Sequence, residues 1–93
     1  MILDLRQLPD GQSFDADICV VGSGPAALSF VLQYLSAPGA NIIMVESGGL
    51  DGETEVQELY QGVSDGIDLA NGLDGSRLRF FGGSSNCWAG ACT

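Results

Sequence analysis

The segment that most constrains this chain is Asp17-Ile-Cys-Val-Val21, an almost unbroken apolar, β-branched run that stops at Gly22-Ser-Gly-Pro-Ala-Ala27. A short run of this kind reads as a strand buried on both faces of a parallel sheet. Behind the glycines, Ala27, Phe30, Val31 and Tyr34 recur at helical spacing, and Leu28, Leu32 and Leu35 reinforce the stripe. Pro25 falls in the first turn, where a helix tolerates proline best, and Pro38 and Gly39 predict an end near Ser36. Asn41-Ile-Ile-Met-Val45 then repeats the buried-strand pattern and stops at Glu46. Strand, helix and strand within about 30 residues is the length of a right-handed βαβ unit, so the expected fold class is α/β.

Gly22-x-Gly24-x-x-Ala27 fits the dinucleotide-binding turn in its Gly/Gly/Ala form. Gly22 makes the tight turn out of the strand, Gly24 lets the backbone approach a pyrophosphate, and Ala27 permits close packing of helix on strand. Phosphates would sit at the helix start, beside Pro25 and Ala26, where free N–H groups and the helix dipole favour negative charge. Taken alone, a glycine-bearing turn is usually just a turn. Here a buried strand precedes it, a periodic helix follows it, and Glu46 ends the second strand 24 residues past Gly22. That is close to the spacing of the acid that binds the adenosine ribose. Glu46, with Ser47 beside it, is therefore a candidate cofactor contact, and its charge argues against a 2′-phosphorylated nucleotide.

Around this unit the chain is less regular. Residues 1–14 have no clear period and contain the turn signal Pro9-Asp10-Gly11, which predicts an N-terminal arm leading into a βαβ grip over 15–49. In 50–76, Asp51, Glu53, Glu55 and Glu58 surround Val56, Leu59 and Tyr60, predicting a short acidic helix ending at Gly62, followed by an irregular Gly- and Asp-rich loop. Acids near that helix's start suit its dipole, a structural role.

With 12 acidic and 3 basic residues the formal net charge is −9, which repels nucleic acid and anionic lipid. Met1 to Asp10 lacks the charged-then-apolar pattern of a secretory signal, and no stretch reaches the roughly 20 apolar residues of a membrane span, so a soluble cytoplasmic protein is expected. Cys19, Cys87 and Cys92 form no CxxC pair, and the chain has no histidine, so neither a metal site nor a disulfide framework is expected. The commonest general base is also missing, and no catalytic residue is expected in this chain.

The second informative block is Arg77-Leu-Arg79-Phe-Phe-Gly82-Gly83-Ser84-Ser85-Asn86-Cys87-Trp88-Ala89-Gly90. Paired glycines followed by hydroxyls and an amide offer donors to a group lying close against the main chain. With GSGPAA at 22–27 and VESGG at 45–49 in the same order, the sequence resembles the glucose-methanol-choline (GMC) oxidoreductase family, particularly its pyranose-oxidase-like and gluconate-dehydrogenase-like branch. The three blocks span most of the chain from Asp15 onward, the third being the most specific.

The resemblance implies the start of a Rossmann-type FAD-binding domain, with FAD as cofactor and 77–93 as the flavin-contacting segment. It implies that Gly22 and Gly24 face the pyrophosphate and Glu46 the ribose, while Gly82, Gly83, Ser84 and Asn86 face the pyrophosphate-to-flavin region, with Arg79 bracing that loop or pairing with an acid. Cys87, Trp88 and Ala89 complete the set. In members that attach flavin covalently a histidine occupies the place of Cys87, so an imidazole link is impossible here; a cysteinyl link is conceivable, and non-covalent packing is the expectation.

The implied activity is oxidation of an alcohol, of a sugar or glycoside, by hydride transfer to FAD. The family's catalytic histidine belongs far downstream, so the expected partner is the remainder of the same enzyme, carrying that base and the substrate domain. A lone βαβ unit also leaves its sheet faces and edges poorly covered. Two alternatives remain at this point: an FAD-containing lyase or photoenzyme of the same fold, and a non-catalytic NAD-binding or interaction module.

Overall fold

The computed structural model describes residues 1–36 and 39–87. Two strands, β1 (Ile18–Val21) and β2 (Ile42–Val45), are joined by the helix α1 (Pro25–Leu35). The strands pair in parallel, Ile18 opposite Ile42 and Val21 opposite Val45. The helix crossover makes that parallel pairing possible, since parallel strands cannot be joined by a tight turn. Each strand starts one residue later than its apolar run, because Asp17 and Asn41 are spent on polar ties. Asn41 N–H donates to an Asp17 carboxylate oxygen at 2.8 Å, and Asp17 N–H to the Asn41 carbonyl at 2.9 Å.

Gly22 leaves β1 with φ +92°, a conformation that a side chain resists, and its N–H donates to the Val45 carbonyl at 2.7 Å. Gly24 caps α1 through its main chain alone, and the helix ends at Ser36 as its sequence predicts. A second helix, α2 (Thr54–Gln57), continues as one 3-10 turn over Glu58–Tyr60. Another 3-10 segment spans Gly83–Cys87, and a short one, Leu5–Gln7, interrupts the N-terminal arm. The arm is tied to α2 by Arg6, whose guanidinium pairs with Asp4 at 2.9 Å and Glu53 at 2.8 Å. Both pairs are exposed and contribute little.

Within the described residues the strands are not buried on both faces; the sheet is left poorly covered, as expected of a lone βαβ unit. Along β1 half-buried and exposed residues alternate, with Val21 82% exposed, and β2 is half-buried throughout. In α1, Ala27, Leu28 and Val31 are half-buried, whereas Phe30 and Tyr34, whose rings stack at 4.7 Å, lie largely in solvent. Among the described residues no apolar side chain is fully buried. The radius of gyration is 16.0 Å, against about 12 Å for a compact domain of this length. The apolar residues are those of a covered sheet, but the described chain supplies cover on part of one side only. No described helix is long and apolar enough to cross a membrane.

Candidate functional site

The three glycine-containing blocks converge. A cleft of about 430 Å³ lies at the carboxyl ends of β1 and β2, with Gly22, Gly24 and Pro25 from the first turn, Glu46 and Ser47 from the second, and Arg79, Gly83 and Ser84 from the third. Gly83 lies so near Gly24 that a side-chain carbon on it would stand 3.5 Å from the Gly24 Cα. A side chain on Gly83 would therefore come to rest against the Gly24 main chain. Of the first turn of α1 only Gly24 and Pro25 line the cleft, and Pro25 has no N–H; the Ala26 and Ala27 N–H groups, which have no partner inside the helix, lie just beyond the lining.

Glu46 organises the second wall. Its Oε2 accepts the Ser23 N–H at 2.8 Å and the Ser23 hydroxyl at 2.6 Å, and its Oε1 accepts the Ser47 N–H at 2.8 Å, the Ser47 hydroxyl at 3.2 Å and the Gly48 N–H at 3.1 Å. Partial burial pushes its pKa up; the hydrogen bonds from the Ser23 hydroxyl and from the Gly48, Ser23 and Ser47 amides outweigh burial and hold it below the ordinary carboxylate value. A carboxylate depressed on folding stabilises the protein above its unfolded pKa, about 4.3. That contribution fades as pH falls through the lower native value. The stability difference between wild type and Glu46→Ala is therefore expected to shrink on acidification below that point, measured by urea unfolding at successive pH values. A difference that stays constant would mean that these bonds do not favour the ionised form.

Two of the chain's three arginines line the cleft. Arg77 and Arg79 lie over the Tyr60 ring at 4.3 and 4.8 Å, and Arg79 Nε donates to the Ser47 hydroxyl at 2.9 Å. Neither forms an ion pair among the described residues, although twelve acids were on offer. The Gln57 side chain fixes their main chain: it accepts the Arg79 N–H at 2.9 Å and donates to the Arg77 carbonyl at 2.7 Å and to that of Asp74. An open pair of guanidiniums beside a helix start and a row of serine hydroxyls suits a phosphate-bearing ligand.

Other candidate residues support the cleft from behind. Gly82 is buried, and its N–H donates to the Ser23 hydroxyl at 3.1 Å. The Asn86 amide donates to the Phe81 and Gly83 carbonyls at 2.9 and 3.0 Å, and the Ser85 hydroxyl caps the Gly82 carbonyl. Ala26 and Cys87 are exposed and do not line the cleft, and Trp88 and Ala89 lie outside the described residues. Ser23, Gln57 and Tyr60 do structural work that the sequence reading had not assigned. Only Ser23 carried a signal, its place between the two glycines. No protein-family profile, curated protein or solved structure matches the chain.

Proposed function

We propose that this chain is the FAD-binding N-terminal part of an oxidoreductase that oxidises an alcohol group, of a sugar or glycoside, and that its fold is the start of a Rossmann-type domain. The observation that carries the reading is the meeting of segments as far apart as Ser23 and Gly82, 59 residues along the chain, around one cleft of helix N-terminus, arginines and hydroxyls. The residues present fit an adenine dinucleotide. The first turn of α1 and the arginine pair would hold the diphosphate, a ribose would lie beside Glu46 and Ser47 and would have to displace one of the five donors that Glu46 now accepts, and the Gly83–Cys87 segment leads on from the cleft.

FAD, when bound, would supply the hydride acceptor; the chain's own residues bind it, orient it and neutralise its charge. The proton-abstracting base and the substrate pocket belong to the partner, the remainder of the same enzyme. Its docking would cover the open faces of β1 and α1.

Two measurements test this. The protein purified with its native partner should release a yellow nucleotide on acid extraction; a colourless extract, or one with the absorption of NAD, sinks the reading. Gly24→Ala separates binding from folding. A side-chain carbon at Gly24 meets nothing within 4 Å, and Gly24 is not in a left-handed conformation. The variant should keep its stability to within about 0.5 kcal/mol. It should bind FAD at least about tenfold more weakly, because the added methyl intrudes where the diphosphate approaches. Undiminished FAD affinity would place the nucleotide elsewhere.

A further inference from the structure

Ser23 stands between the two glycines of the first turn and has no solvent-accessible surface. Its hydroxyl donates to Glu46 Oε2 at 2.6 Å and accepts the Gly82 N–H at 3.1 Å. The directions are fixed, because an ionised carboxylate can only accept and an amide N–H can only donate. One oxygen atom therefore joins the end of β2 and the buried glycine pair to the turn between β1 and α1.

We propose that Ser23 is the positioning residue that assembles the dinucleotide cleft. By holding Gly82, it keeps the Gly82–Gly83 pair closed against Gly24, so the third wall is in place before a nucleotide arrives. Ser23 lies in the cleft wall with its hydroxyl already committed to Glu46 and Gly82, so it acts through those two residues. The inference rests on the dinucleotide reading above and divides the site into two halves. The half built by β1, α1 and Glu46 keeps a tie of its own, the main-chain N–H of Ser23 on Glu46 at 2.8 Å. The half built by the glycine pair is tied to the second block by the Phe81 N–H on the Gly49 carbonyl and by Arg79 on Ser47, but the Ser23 hydroxyl is its hydrogen bond to the first turn.

Ser23→Ala leaves the Gly82 N–H buried without its acceptor, so the glycine pair lifts, and binding must first close it again. In the whole protein with its partner, the dissociation constant for FAD should rise roughly 10- to 100-fold. ADP, which in this reading meets the first turn, Glu46 and the arginine pair but does not reach past the Gly82–Gly83 pair, should lose clearly less affinity than FAD, and the far-UV circular dichroism should not change. Equal losses for ADP and FAD would indicate general damage and overturn the proposal, as would undiminished FAD affinity. If wild type binds neither probe, the dinucleotide reading itself fails, and the proposal with it. Should Ser23→Ala not accumulate as folded protein, Ser23→Cys keeps a weaker donor and acceptor at the same point. It should show a smaller loss for FAD and a smaller one still for ADP; FAD affinity equal to wild type would overturn the proposal there as well.

Discussion

Gly48→Ala is expected to destabilise the purified protein by about 3 kcal/mol and, on the FAD-binding reading proposed above, to strip it of bound flavin. A side-chain carbon at Gly48 would overlap the Arg79 carbonyl oxygen and stand 2.7 Å from both the Arg79 carbonyl carbon and the Phe80 Cα. All three are main-chain atoms, which no rotamer change moves aside. The adjacent bond from the Phe81 N–H to the Gly49 carbonyl, 2.9 Å, would break as the segments part, and Arg79 would leave the cleft. Gly49→Ala is the natural control. Its added carbon meets first the Glu53 carboxylate oxygen at 2.6 Å, the far end of a side chain that can swing away. The cost there should stay below about 1 kcal/mol. Urea midpoints and flavin absorbance of the two variants decide the matter: equal behaviour would mean that the third block does not lie against Gly48.

Glu46→Ala should cost a comparable amount, about 3 kcal/mol, because it removes the acceptor of five hydrogen bonds at once and leaves main-chain donors facing each other. The isosteric change Glu46→Gln is informative because it preserves volume. Whichever way the amide turns, its NH2 faces an obligate donor, Ser23 N–H on one side or the Ser47 and Gly48 N–H groups on the other. Most of the loss should therefore persist, and FAD affinity should fall with it. A Glu46→Gln protein that melts with wild type would show that volume, not charge and acceptor count, is what the position requires.

The strands and α1 were legible to within a residue or so because their signals are local: an apolar run ended by a glycine, a helical period opened by one proline and closed by another. Their burial was legible only in part: a lone βαβ unit is expected to leave its sheet poorly covered, but that expectation does not say which residues stay bare. Residues such as Cys19 and Val21 reveal what kind of surface a strand is made to face, but not whether the same stretch of chain supplies that surface. The candidate site divides along the same line. The glycine turn and Glu46 follow a spacing rule, and the structure brings them to one cleft with Arg79, Gly83 and Ser84. What holds the cleft together did not follow any rule. The Gln57 amide bridges to Arg77 and Arg79, 20 and 22 residues away, and Tyr60 lies beneath two guanidiniums. Such contacts depend on where a loop returns, and a single glutamine or tyrosine in an acidic helix gives no periodic hint of it. Asn86 shows the converse: an amide with the composition of a ligand donor bonds two carbonyls of its own loop.

The absence of any fully buried apolar side chain among the described residues has a thermodynamic corollary. Withdrawal of hydrocarbon from water is what gives protein unfolding its large positive heat capacity and its curved temperature profile. A segment whose apolar side chains are at most half-buried carries less of that signature. On the proposed reading, in which the remainder of the enzyme docks over Val21, Leu32 and Leu35, that step carries the rest of it, so part of the calorimetric mark usually assigned to folding would here appear as a negative heat-capacity change on association.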